Sequence, residues 1–138
     1  MEIKYRAFQR DDTISLMQLC SKTEWELAVI EIAKSLIKNI EIEKCYLAEK
    51  DYEVIGFVYG FALPNNLLVP HFIYVSPEYR KNGIAKKLLF MLEKESNCKN
   101  SIIYYNKSLH DYYSQCGYES SDALEVAQKE LDGGKNEV

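Results

Sequence analysis

The stretch from Val75 to Leu92, VSPEYRKNGIAKKLLFML, reads as the end of a strand, a turn and a helix, and the rest of the chain is organised around it. Ahead of it, His71-Phe72-Ile73-Tyr74-Val75 is rich in aromatic and β-branched residues, and Ser76-Pro77 stops the extended run. Behind it, Ile84, Ala85, Leu88, Leu89 and Leu92 recur at helical spacing, with Lys86, Lys87, Glu93 and Lys94 between them. The turn Arg80-Lys81-Asn82-Gly83-Ile84-Ala85 therefore falls at a helix N-terminus. The first amide N–H groups of a helix lack internal partners and the macrodipole adds partial positive charge, so this is a natural anion site. Gly83 has no side chain to hold phosphate oxygens off the backbone, Ala85 has little more, and Arg80 and Lys81 add two full charges. The arrangement suits a pyrophosphate.

The same turn resembles motif A, R/Q-x-x-G-x-G/A, of the GNAT acyltransferase superfamily, whose backbone amides cradle the pyrophosphate of acetyl-CoA. A second stretch, Asn106 to Tyr118, NKSLHDYYSQCGY, resembles that family's later segment N-x-x-A-x-x-x-Y-x-x-x-G-F. Asn106, Tyr113 and Gly117 fall in register, while Leu109 stands for the usual alanine and Tyr118 for the usual phenylalanine. The run Ile55-Gly56-Phe57 resembles the "IGF" of the family's third strand. The resemblance implies an α+β, mixed α/β chain with a GNAT-like three-layer fold. Its centre would be a twisted, mostly antiparallel sheet with a parallel, splayed pair formed by the fourth and fifth strands, flanked by helices.

At 138 residues, with 47% apolar and 28% charged residues, the chain has the composition of one globular domain. We expect a single domain over residues 1–131 and a flexible tail over 132–138, where Gly133-Gly134 lies. The N-terminus MEIKYRAFQRDD lacks a basic region followed by an apolar run, and no stretch approaches eighteen apolar residues, so neither a signal peptide nor a membrane span is expected. A cytoplasmic location follows as an expectation. Cys20, Cys45, Cys98 and Cys116 contain no C-x-x-C pair, and His71 and His110 are not spaced as a metal set, so free thiols and no metal are expected. A net charge of −4 with interspersed signs argues against a nucleic-acid partner.

Ile3 to Phe8 alternates as a first strand, and Asp11 or Asp12 then caps a short helix carrying Ile14, Leu16, Met17 and Cys20. Thr23-Glu24-Trp25-Glu26 has capping-box spacing before an apolar-striped helix to Ile40. Cys45 to Glu49 and Tyr52 to Leu63 read as strands joined by a hairpin at Lys50-Asp51. Gly56 and Gly60 within the second of these mark a bulge or a close approach. Leu67 to Val75 is the fourth strand, Ser101 to Tyr105 the fifth and Lys107 to Ser114 a short helix. A right-handed crossover would set the fifth strand beside the fourth and bring the two motifs to one cleft. Ala123 to Leu131 fits either period; because the family ends with two strands, we expect a strand.

The resemblance implies roles. Ile73, Tyr74 and Val75 would pair through their backbones with the pantetheine arm, and Arg80, Lys81, Asn82, Gly83, Ile84 and Ala85 would hold the pyrophosphate. Asn106 would bond the pantetheine, and Tyr113 would serve as the acid at the CoA sulfur. A backbone N–H near Val75 would polarise the thioester oxygen. The fourth strand lacks the glutamate that many members use as a base. His71 is its only titratable side chain of useful pKa, and strict alternation places it on the face of Ile73 and Val75. Ordered water, or Glu24 or Glu26, could replace it. The expected activity is transfer of an acetyl group from acetyl-CoA to a primary amine of a small molecule, peptide or protein, by direct attack in a ternary complex. A CoA-binding sensor without turnover is the alternative, and either a monomer or a homodimer is compatible. No G-x-x-x-x-G-K-[ST] is present, which sets aside a P-loop enzyme.

Overall fold

The computed structural model describes residues 2–21 and 43–131. The chain divides into two compact units, Met1–Tyr104 and Tyr105–Val138. The expected helix from Thr23 to Ile40, with Glu24, Trp25 and Glu26, and the tail beyond Leu131 lie outside the described residues.

The first unit is a five-stranded sheet in sequential order: β1 (Lys4–Ala7), β2 (Glu43–Lys50), β3 (Glu53–Leu63), β4 (Leu67–Val75) and β5 (Asn100–Ser101). The pairs are antiparallel except β4 with β5, which is parallel. Helix α1 (Thr13–Cys20) packs on one face, where Leu16 and Cys20 meet Cys45, Leu47, Phe57 and Tyr59. Helix α2 (Ile84–Glu95) packs on the other, where Ile84, Leu88 and Leu92 meet Ile55, Val58, Leu68 and Val75. This is the three-layer arrangement the resemblance implied.

The hairpin between β2 and β3 turns on Asp51 and Tyr52, both at positive φ (49° and 67°), the twist a two-residue hairpin loop requires. At the base of β1, Arg6 donates from both terminal nitrogens to the two carboxylate oxygens of Asp12 at 2.7 Å. Asp12 also accepts at 2.7 Å the N–H of Gln9, the N-cap of the 3₁₀ turn (Arg10–Asp12) ahead of α1, as the reciprocal half of a capping box.

Two bulges decide which side chains face which layer. The register shift at Ala48/Glu49 leaves Ile55 extra on β3, so Val54 joins the α1 core while Ile55 joins the α2 core. A second shift pairs Tyr59 with Phe72 but Gly60 with Pro70, leaving His71 as the bulged residue of β4. Both glycines expected to mark a bulge or a close approach do so: a Cβ on Gly60 would stand 2.9 Å from the Val69 carbonyl oxygen and 3.0 Å from Leu92 Cδ2, and one on Gly56 3.1 Å from the Tyr74 oxygen.

β5 is shorter than Ser101 to Tyr105. It pairs only at Leu67/Asn100 and Leu68/Ser101, with one further bond from the Ile102 N–H to the Leu68 carbonyl at 2.9 Å. The two strands then cease to pair, so the regular pattern ends although the sequence stays β-prone.

The second unit contains a 3₁₀ turn (Lys107–Leu109), helix α3 (His110–Gln115) and an irregular segment to Leu131. Ala123 to Leu131 forms no strand. Leu124 and Val126 are each 73% exposed, and alternation without a neighbouring strand to bond or a face to bury does not fix an extended ladder.

Candidate acetyl-CoA site and acyl-transfer centre

The site is built from the edge of β4 and the start of α2. The Ser76 N–H donates to the Ile55 carbonyl at 2.8 Å, which fixes the phase of the ladder. In an antiparallel pair, alternate residues bond the neighbouring strand. Phe72, Tyr74 and Ser76 therefore turn their backbone groups toward β3, and Ile73 and Val75 turn theirs to the outer edge. β5 accompanies only Leu67 and Leu68, so beyond them no described strand runs along that edge. Of the three backbone positions expected to receive pantetheine, Ile73 and Val75 present edge groups and Tyr74 faces inward.

Beyond Val75 a 3₁₀ turn (Pro77–Tyr79) leads to the glycine turn. Lys81 (φ 66°) and Gly83 (φ 75°) both adopt left-handed backbone, and Gly83 is the N-cap of α2. The first bond of that helix runs from the Lys87 N–H to the Gly83 carbonyl at 3.1 Å, leaving the amides of Ile84, Ala85 and Lys86 without helical acceptors. A Cβ built on Gly83 meets nothing within 4 Å. Glycine is favoured there by conformation, and the space in front of the amides is open. These features fit a diphosphate.

Arg80 and Asn82 are partly committed to shaping the turn. Arg80 Nε donates to the Val75 carbonyl at 2.9 Å and its guanidinium lies 5.4 Å from the Tyr74 ring centroid. Asn82 Nδ2 donates to the Tyr79 and Arg80 carbonyls at 3.1 and 3.2 Å. Lys81 is exposed at the same turn.

The bulge overturns the expected direction of His71. Strict alternation would set it beside Ile73 and Val75, which pack against the α2 core. Its ring instead contacts Phe72 (4.3 Å between centroids), Phe61 (5.8 Å) and Tyr59 (6.3 Å), on the α1 face. The extra residue breaks the period of two, so His71 and Phe72 share a face, and His71 remains exposed.

In the same cluster stands Glu43, which the sequence reading did not single out. It opens β2, is 8% exposed, and accepts the Tyr59 hydroxyl proton at Oε1 over 2.8 Å. Oε2 is buried and has no hydrogen-bond partner among the described residues. Burial, followed by the bond to Glu43, pushes the Tyr59 hydroxyl well above the usual tyrosine range, which keeps it protonated. A lone glutamate at a strand start carries no signal that it will be buried.

Within the second unit, Asn106 caps the 3₁₀ turn by accepting the Ser108 N–H at Oδ1 over 3.0 Å. Tyr113 is 9% exposed, with the Tyr105 ring stacked at 4.7 Å and Tyr112 and Tyr118 edge-on at 5.1 and 6.2 Å. Burial, then Cys116 and Tyr105, raise its hydroxyl above the usual value. Gly117 (φ 94°) closes the segment where a non-glycine residue would be strained. His71, Ile73, Val75 and residues Arg80 to Ala85 thus belong to the first unit, and Asn106 and Tyr113 to the second.

A family model described as an acetyltransferase (GNAT) domain matches residues 41–120, more than half of the chain, and the chain belongs to that family. Solved structures share the fold. An aminoglycoside N-acetyltransferase in complex with CoA superposes with a TM-score of 0.77 at 14% identity, over 94% of this chain and 96% of that one. A ribosomal-protein-alanine N-acetyltransferase from Brucella melitensis gives 0.73 at 18%, over 93% and 99%. A glucosamine-6-phosphate N-acetyltransferase from Arabidopsis thaliana gives 0.72 at 12%, over 94% and 99%. As a member of the GNAT family, the protein is an acyltransferase. Among the described residues no His, Cys, Asp and Glu group could hold a metal, and no helix is long and apolar enough to cross a membrane.

Proposed function

We propose that the protein transfers the acetyl group of acetyl-CoA to a primary amine, of a small molecule or of a peptide or protein, by direct attack in a ternary complex. The observation that carries this reading is the outer edge of β4, along which no described strand runs beyond Leu68, leading through Val75 to the amides at the start of α2 that lack helical acceptors. Acetyl-CoA brings the activated thioester. The amides of Ile84, Ala85 and Lys86, with Arg80 and Lys81, would hold the diphosphate, and the outward groups of Ile73 with the Val75 N–H would bond the pantetheine as a strand is bonded, the Val75 carbonyl being held by Arg80. An N–H of this edge, near Val75, would stabilise negative charge on the carbonyl oxygen.

Each proton needs a place. A ring nitrogen of His71 would take one from the attacking amine, and the Tyr113 hydroxyl would give one to the departing thiolate. Burial raises the Tyr113 hydroxyl above its usual value, so it carries its proton at neutral pH. With Oδ1 of Asn106 committed to Ser108, its amide NH₂ remains as the donor toward pantetheine. Three of the four cysteines are unsuited to an acyl-enzyme: Cys20, Cys45 and Cys116 are buried, with burial pushing the Cys20 thiol to about 11 and Cys45 higher still, and only Cys98 is half-buried.

The experiment is a calorimetric titration with acetyl-CoA of the native protein, Gly83→Glu and Gly83→Asn. Asparagine tolerates the left-handed backbone, so Gly83→Asn separates strain from the charge set before the amides. Micromolar binding by the native protein, weakened in Gly83→Asn by a side chain set before the amides and abolished in Gly83→Glu by the added charge, is expected. A folded native protein that does not bind would refute the reading, and binding without turnover of any amine would leave a sensor.

A further inference from the structure

The described residues contain two buried carboxylates, and their surroundings differ. Asp12, 8% exposed, is matched by the Arg6 guanidinium on both oxygens and by the Gln9 N–H. Glu43, equally buried, has a single neutral donor, the Tyr59 hydroxyl, and no described cation within ion-pairing distance. A carboxylate taken out of water without a matching cation is costly, and a buried acceptor atom left unbonded adds to the cost. Asp12 shows how this fold satisfies an acid kept for structure. Glu43 is left with one oxygen in reserve.

The place of that oxygen is informative. Glu43 pairs across β2 and β3 with Phe61, and its carboxylate reaches the Tyr59 hydroxyl; Tyr59 and Phe61 both contact the His71 ring. Carboxylate, two rings and imidazole thus run in one row across three strands on the α1 face. His71 is its exposed end, and the backbones of Glu43 and His71 stand two strand spacings, about 10 Å, apart. Phe61 and Phe72 are only half buried, and aromatic faces favour a cation against them.

We propose that Glu43 is the anionic anchor of the acceptor site: its Oε2 receives an ammonium group of the acceptor, and a second amino group of the same molecule is the one acetylated beside His71. The acceptor is then a short aliphatic diamine or an equivalent molecule with two amino groups. An ammonium matches the Glu43 carboxylate in charge as well as in hydrogen bonding, whereas only a neutral amine attacks a thioester, so the two tasks fall to different nitrogens. Tyr59 holds Glu43 in place through Oε1 and leaves Oε2 for the ligand.

This inference rests on the acyl-transfer reading, and the experiment keeps the two apart. CoA release is followed with diaminobutane, butylamine and aminobutanol as acceptors, for the native protein and Glu43→Gln, which retains an oxygen for Tyr59. The native protein is expected to show a KM for diaminobutane at least tenfold below those for butylamine and aminobutanol. Glu43→Gln is expected to remove that preference while the KM for acetyl-CoA stays unchanged. Equal KM values for the three amines in the native protein, or a preference that survives Glu43→Gln, would overturn the anchor. Should no amine be acetylated although acetyl-CoA binds, titration of the CoA-loaded protein with diaminobutane decides. Binding lost in Glu43→Gln sustains the anchor and refutes turnover, and no binding by the native protein refutes the anchor. If Glu43→Gln does not fold, the aminobutanol comparison on the native protein carries the test alone.

Discussion

Gly60→Ala is the substitution for which the geometry gives the sharpest expectation. A Cβ at this position would lie 2.9 Å from the Val69 carbonyl oxygen, 3.0 Å from Pro70 Cα and 3.0 Å from Leu92 Cδ2. Two of these are backbone atoms of β4, and the third belongs to a leucine with no exposure. None is the free end of a long side chain, so β4 and α2 must move apart. Overpacking of this kind costs about 1–3 kcal/mol, and backbone neighbours place it in the upper part of that range. The narrower unfolded ensemble of alanine returns about 0.4–1 kcal/mol, so a net loss of about 2 kcal/mol is expected. With an unfolding entropy of about 2.1 cal/mol/K per residue, that lowers the midpoint of this 138-residue chain by about 7 °C. Thermal and urea unfolding followed by circular dichroism measure it. Gly56→Ala, with its nearest contacts at 3.1 and 3.2 Å, should lose about half as much. A Gly60→Ala midpoint within about 1 °C of native, or a larger loss at Gly56, would refute the packing argument. Because Gly60 sits opposite Pro70 at the bulge that turns His71 outward, kcat should fall along with stability.

Two further outcomes follow from the same geometry. Tyr113→Phe should lower kcat roughly 10²- to 10⁴-fold, the usual worth of a positioned acid, with acetyl-CoA affinity retained; unchanged kcat would remove Tyr113 from the chemistry. Arg6, chiefly through its hydrogen bonds, holds the Asp12 carboxyl below the usual carboxylate range despite burial. A depressed folded value means that the stabilisation is complete above the unfolded value, about 3.9, and is lost as pH falls through the folded one. Asp12→Asn should therefore cost about 2 kcal/mol at pH 7, discounted for a partly exposed Arg6, and progressively less in urea melts below about pH 4. An equal loss at pH 3 and pH 7 would show that the pair is not its source.

Much of the first unit was legible because its signals are local. The limits of β4, the start of α2 after Gly83 and the hairpin turn after Lys50 follow from turn chemistry and periodicity acting over a few residues. Asp12, one of the two residues expected to cap α1, stands at its N-cap position but makes no side-chain bond to it; its carboxylate turns to Gln9 and Arg6, and nothing in the neighbours of Arg6 marks that pairing. Ala123 to Leu131 shows the opposite failure. An alternating pattern states a preference, and a strand also needs a neighbour to bond.

The amino-acid sequence by itself determined the family, the three-layer arrangement that the resemblance implied, and the glycine turn that opens α2, because a glycine at a left-handed helix cap and an apolar stripe at helical spacing are properties of a short segment. Only the tertiary structure decided which face of β4 carries His71. One bulged residue, set where α2 and β4 close on Gly60, reverses the period of two for every residue before it. The same is true of Glu43, whose burial and single bond to Tyr59 follow from the pairing of β2 with β3, although in sequence it is an ordinary acid at the start of a strand.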